Sequence, residues 1–395
     1  MTDASGQKPA KPATETLLTH MGRRPEDQFG FVNTPAYRGS TIVFPTLDAL
    51  DDYAIAYRYG RQGSPTTRGI EETISELEGA AGTLLAPSGL AAITLALLSV
   101  LSAGDEILVT DSAYEPTRAF CDGMLARLGI VTRYYAPRIG AGIESLFTDR
   151  TRAVFVESPG SHTFEIQDLP AIAGRAKRRG ASVIVDNSWA TPLFHRPMDL
   201  GADIVVHAGT KMFVGHSDAM SGTVSANAAH WPALGKAHRQ LGVAVGPDDA
   251  FLVARGLRTL AIRMKEHQQR ALELANWLAT RPGVVKVIHP ARPDHPDHAI
   301  YQRDFTGSGS LFGVVLEEGS RDATAAMVDG LSLFSMGYSW GGYESLILPS
   351  KVAHVRTATP FAPGGSLFRI HVGFEAMDDL KADLAAGLDR YRARL

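Results

Sequence analysis

The chain has 395 residues, 45% hydrophobic and 21% charged, and its 39 Lys and Arg nearly balance 42 Asp and Glu. That length exceeds the roughly 250 to 300 residues that one core serves, so two folded domains are expected. Balanced charge without any basic block argues against a nucleic-acid partner, and the most apolar run, Leu90 to Leu101, contains Thr94 and Ser99 and falls short of the roughly 20 residues of a bilayer span, which argues against the membrane.

Residues 1 to about 15 have the composition of a loose tail and lack the apolar stretch of a secretory signal, so the expected address is cytoplasmic. Turn formers and short extended pieces such as Ser40 to Phe44 follow, and residues 1–60 read as an arm. From Gly69 the pattern alternates. It predicts helices over Ile70 to Leu77, Gly89 to Leu101, Pro116 to Leu128 and Pro170 to Arg179, and strands over Glu106 to Thr110, Ala153 to Glu157, Ser182 to Asp186 and Asp203 to His207. Continuous apolar runs such as Val183-Ile184-Val185 suit a sheet covered on both faces, so the fold class is α/β with a mostly parallel sheet between helices. The only cysteine, Cys121, has no basic neighbour and reads as a packed thiol of a reducing compartment. A long helical rhythm from Asp248 to Thr280 comes next, then strands broken by Gly and Pro, a strand Leu367 to Val372 and an amphipathic helix Asp378 to Leu395. The domain boundary is placed near residue 256, with an α/β domain over 61–256 and a smaller α+β domain over 257–395.

Two polar groups stand at the carboxyl ends of successive predicted strands: Asp186, and Lys211 just beyond His207. Ligands of open α/β sheets bind at that edge. A carboxylate and an amine there suit pyridoxal 5′-phosphate (PLP), whose ring nitrogen must stay protonated and whose aldehyde is held covalently, here by Lys211. A lysine near its ordinary pKa of about 10.4 is too protonated to remove a proton, so burial beside cations is required. A strand-end aspartate and a surface lysine are the plainer alternative for each residue taken singly. Ser88-Gly89-Leu90 opens a helix, where free amides and the positive helix end attract a phosphate, although a simple cap has the same pattern. Tyr114 follows a strand end and would stack on a flat ring or merely pack. Arg369, inside an apolar strand, calls for an anionic partner, either a substrate carboxylate or an internal acid. His295 and His298 with Asp294 and Asp297 lack a helical spacing and read as a solvated loop, not a metal site, and Gly307 to Ser310 reads as a turn.

In order and spacing these residues resemble the cysteine and methionine metabolism family of PLP-dependent enzymes, of aspartate-aminotransferase-like fold. The resemblance is carried by Tyr59-Gly60-Arg61-Gln62-Gly63-Ser64-Pro65-Thr66, Glu157-Ser158-Pro159-Gly160, Asp186-Asn187-Ser188-Trp189-Ala190, and Thr210-Lys211 with Val214 to Met220. It implies that backbone amides of Gly89 and Leu90 and the hydroxyl of Thr210 hold the phosphate. Tyr59 and Arg61 would reach the site of the neighbouring subunit, in a dimer that pairs into a homotetramer. It further implies that Tyr114 stacks on the ring, and that Ser339 and Arg369 orient the carboxylate of an amino-acid substrate. Ala208 departs from the family, where a serine often binds phosphate. Within the family the chain is most similar to bacterial members that break the Cβ–Sγ bond of cystathionine, releasing homocysteine, pyruvate and ammonia in methionine biosynthesis. Trp340, where relatives acting at Cγ usually have a smaller aliphatic residue, would narrow the distal pocket. γ-Elimination from cystathionine or methionine, and a silent PLP-binding protein, remain as alternatives.

Overall fold

In the computed structural model, which describes residues 12–395, the first sheet has seven strands in the order β1-β7-β6-β5-β4-β2-β3. They are β1 Gly82–Ala86, β2 Glu106–Thr110, β3 Val131–Tyr135, β4 Thr151–Glu157, β5 Ser182–Asp186, β6 Ile204–His207 and β7 Gly222–Ala226. Strands β3, β2, β4, β5 and β6 are parallel, and β7 runs against both β6 and β1. Alternating side chains explain why the central strands are apolar throughout: Ile184 and Val206 pack with the helix Gly89–Val100, while Val183, Val185 and Val205 pack with the helix Leu169–Arg178. Ser88 starts the first of these helices by accepting the Ala91 N–H at 3.1 Å. The helix Pro65–Glu78 begins with a capping box between Ser64 and Thr67 and stops at Gly79, which takes the left-handed conformation.

Several expectations shift. The helix predicted over Pro116 to Leu128 is α-helical only over Glu115–Phe120 and widens into a π turn over Cys121–Leu125. Cys121 is buried there, and burial pushes its thiol up to about 12. The long stretch after Asp248 is two helices, Pro247–Leu257 and Leu260–Leu278. The Arg263 guanidinium draws the Gly256 and Met212 carbonyls toward itself at 2.7 Å each, which turns the chain at Arg258 and Thr259. The segment around His295 is only partly solvated: Asp294 is exposed, but His295 and Asp297 are buried, and Asp297 accepts from Arg138 Nε at 2.6 Å and from the Ile166 N–H at 3.0 Å. Among the described residues no group of His, Cys, Asp or Glu is arranged to hold a metal ion.

The second sheet has the order β10-β11-β12-β9-β8, from β8 Val284–Ile288, β9 Leu311–Leu316, β10 Ser335–Met336, β11 Leu346–Pro349 and β12 Ser366–His371. The helices Leu260–Leu278 and Met377–Arg392 cover it through Leu274, Leu278, Leu384 and Leu388 against Phe312, Ile347 and Phe368. The expected loose tail lies, up to residue 11, outside the described residues. From Thr14 the chain is helical to His20 and buries Leu18 beside Ile70 and Leu257. The arm that follows has little regular structure, and Ser40 to Phe44 forms no strand beyond a single bridge from Thr41 to Tyr59. Phe29, Phe31, Val43, Leu47 and Tyr53 are exposed along it. Among the described residues no helix is long and apolar enough to cross a membrane.

Candidate active site

The carboxyl ends of β2, β4, β5 and β6 open onto a cavity of about 480 Å³, closed from the far side by the loop Tyr338 to Trp340 and by Arg369 of β12. Both sheets therefore contribute walls. Gly89, Leu90, Tyr114, Asp186, Thr210, Lys211, Ser339, Trp340 and Arg369, singled out from sequence, all line it.

Lys211 leaves the turn after β6. Its Nζ donates to Ser339 Oγ at 2.9 Å and stands 5.5 Å from the centre of the Trp340 ring. Burial, then the positive charge of Arg369, bring the amine down to about 8, against a smaller opposing pull from Asp186. Gly341 lets the opposite loop approach this closely: it has φ +88°, and a Cβ there would lie 3.0 Å from the Lys211 carbonyl carbon. Asp186 is buried at the end of β5. Desolvation raises its carboxyl, and Ser188, whose N–H it accepts at 2.9 Å, together with His207 and Lys211, works the other way.

Among the described residues Arg369 has no acidic partner. Its Nη2 donates to the carbonyls of Gly337 at 3.2 Å, Tyr338 at 2.9 Å and Ser339 at 3.4 Å, which leaves its charge without a carboxylate to neutralise it. Burial lowers it to about 10. Of the two partners that sequence reasoning left open for this arginine, an internal acid is not in contact with it among the described residues. The Thr210 hydroxyl accepts the Ser221 N–H at 2.9 Å and donates to its carbonyl at 3.0 Å, which pins the turn ahead of Lys211.

Tyr59 and Arg61 are the exception. Neither lines the cavity of its own chain; Arg61 donates to the Arg239 carbonyl at 3.2 Å and stands 5.9 Å from the Tyr59 ring centre. Sequence reasoning also left Glu157 and His162 without roles, though both line the cavity. Glu157 was findable, because it ends an apolar strand as Asp186 does. His162 was not: it sits in a loop, left-handed at φ 61°, with Nδ1 2.7 Å from Ser350 Oγ and its ring brought down to about 4 by burial and Arg369.

The donor set fits PLP. An acid sits at the floor, a lysine of lowered basicity at the wall, and the amides opening the twelve-residue helix Gly89–Val100 face the same space. Gly89 lies so near the turn before Lys211 that a Cβ on it would meet the Ala208 Cβ at 2.6 Å. Ala208 itself offers no hydroxyl.

Fold and cavity together define a PLP enzyme of the aspartate-aminotransferase-like fold. Residues 15–389 match the model of the Cys/Met metabolism PLP-dependent enzymes, and the chain belongs to that family, with PLP as its cofactor. It is 42% identical over 387 residues to the cystathionine beta-lyase of Salmonella typhimurium, covering 95% of this chain and 98% of that one. It is 41% identical over 388 residues to that of Escherichia coli, again over 95% and 98%. The crystal structure of cystathionine gamma synthase from Xanthomonas oryzae pv. oryzae in complex with cystathionine superposes with a TM-score of 0.90 at 31% identity, covering 98% of this chain and 100% of that chain.

Proposed function

We propose that this chain is a carbon–sulfur β-lyase that cleaves L-cystathionine, with uptake of one water, to homocysteine, pyruvate and ammonia, supplying a thiol for methionine biosynthesis. The observation that carries the reading is the juxtaposition, in one cavity, of a lysine amine of lowered basicity, a buried acid and an arginine without an acidic partner. Bound PLP supplies an aldehyde that condenses with amines and a protonated ring that accepts the electron pair of a breaking Cα–H bond.

The residues divide the remaining work. Asp186 would hold the proton on the ring nitrogen, Tyr114 would stack on the ring, and the amides of Gly89 and Leu90 with the Thr210 hydroxyl would hold the phosphate. Arg369 pairs with the substrate carboxylate, which satisfies the charge that three carbonyls only solvate, and Ser339 steadies it. Lys211 Nζ, near pKa 8, takes the Cα proton at neutral pH and returns a proton to the departing Sγ. Trp340 narrows the distal end and favours departure from Cβ over the longer reach of γ-elimination.

The same reading divides the chain into an arm over 1–60, a cofactor domain over 61–256 and a second domain over 257–395. It makes Tyr59 and Arg61 complete the partner's site in a dimer, and the assembly a tetramer. The exposed apolar arm supports this. A cytoplasmic address suits the single buried thiol. Product analysis with cystathionine tests the reaction: pyruvate and homocysteine in equal amounts are expected, and 2-oxobutyrate as main product would reject it.

A further inference from the structure

We infer that Glu157 serves this site as a neutral carboxylic acid, a positioning residue that fixes the main chain of Tyr114 and leaves Asp186 as the charged carboxyl lining the cavity. The inference rests on the cofactor reading above.

Glu157 and Asp186 are direct neighbours in the register of β4 and β5. In a parallel pair such neighbours are about 4.8 Å apart and point to the same face. Both line the cavity. Two carboxyls so close in a poorly hydrated site cannot both ionise cheaply, so one keeps its proton. Their surroundings decide which. Asp186 accepts the Ser188 N–H and is drawn toward ionisation by Lys211 and His207. Glu157 has no cation in reach: among the described residues no ion pair includes it, and its Oε2 accepts only the Tyr114 N–H, at 2.7 Å. Gln167, the other polar contact from a neighbouring segment, donates at 2.7 Å to the Glu157 main-chain carbonyl and not to its carboxyl. Burial, then the charge of Asp186, hold Glu157 well above the ordinary carboxylate range.

With Oε2 accepting, the proton belongs on Oε1. The Tyr114 N–H sits at the entry of the helix Glu115–Phe120, with Pro116 in its first turn, so anchoring that N–H anchors the direction in which the ring leaves the backbone. A neutral acid does this without placing a second negative charge beside Asp186.

The test uses full-length protein reconstituted with PLP and two readouts: the PLP dissociation constant and the pH midpoint of the bound cofactor's visible absorption. Glu157→Gln keeps the acceptor and is neutral, so its dissociation constant is expected within about threefold of wild type and its midpoint unmoved. Glu157→Ala, and Glu157→Asp, which withdraws the carboxyl from Tyr114, are expected to bind PLP about tenfold more weakly. Were the wild-type carboxyl charged, Glu157→Gln would remove an anion near the cationic group that titrates and lower the midpoint by about one unit. That fall, or equal weakening by Gln and Ala, overturns the neutral acid, and wild-type binding by Glu157→Asp overturns the positioning. Wild-type protein that takes up no PLP would instead remove the cofactor reading itself.

Discussion

Lys211 owes its lowered basicity to what surrounds it more than to its own chemistry. A lysine amine titrating near 8 is about one-tenth free base at pH 7, against well under a thousandth for an exposed one. Two causes lower it, burial and then Arg369, and only the second is removable without opening the cavity. In Arg369→Gln the positive neighbour is gone, the protonated amine is less disfavoured, and the midpoint must rise. The rate at which cofactor-free protein captures PLP is therefore expected to climb through about pH 8 in wild type and about one unit higher in the variant. An unchanged midpoint would assign the whole shift to burial. At this scale much of the site was legible, because polar groups at the carboxyl ends of apolar strands face the edge where ligands bind, and Asp186 stood out on that ground. The same ground should have marked Glu157. Arg369 was found as an isolated charge, but its carbonyl partners come from a loop some thirty residues earlier in the chain, beyond the reach of local pattern.

Gly89, which opens the helix Gly89–Val100, lies against Ala208 in the turn before Lys211, and under the proposed function that contact shapes the phosphate end of the cavity. A methyl group on residue 89 would lie 2.6 Å from the Ala208 Cβ and 2.9 Å from its Cα, so the helix start or the turn must move. Gly89→Ala is expected to weaken PLP about tenfold, a displaced anion site being the cause, while far-ultraviolet circular dichroism stays unchanged. Adding Ala208→Gly removes the nearer of the two clashes and is expected to recover part of the loss. A double variant as weak as the single one would show that the contact does not matter. Element boundaries were readable where local chemistry sets them, as at Ser88 and Ser182–Asp186. They were misread where distant groups intervene. Arg263 breaks the helix rhythm after Leu257 by claiming the Gly256 carbonyl.

For the whole molecule, the position of Tyr59 and Arg61 outside their own chain's cavity points to a second copy. Nine of the eleven residues singled out from sequence converge on one cavity, and these two stay outside it, on an arm whose Phe29, Phe31, Val43 and Leu47 face outward. Apolar side chains in such number on an irregular segment suit burial against a second copy, and a twofold arrangement would bring each arm to the other subunit's cavity. No periodicity in a sequence encodes a contact between copies, so the resemblance to the family, and not the pattern of residues, put this arrangement forward. Complementation tests it. Lys211→Ala and Arg61→Ala proteins are each expected to be nearly inactive, since every site in either homodimer lacks one group. Co-expressed in one cell, they form mixed dimers in which one site has both defects and the other has neither. With random pairing, half of the dimers are mixed and half of their sites are intact, so activity should return to about one quarter of wild type. If Arg61 served its own subunit's cavity, each site in a mixed dimer would carry one defect and no activity would return.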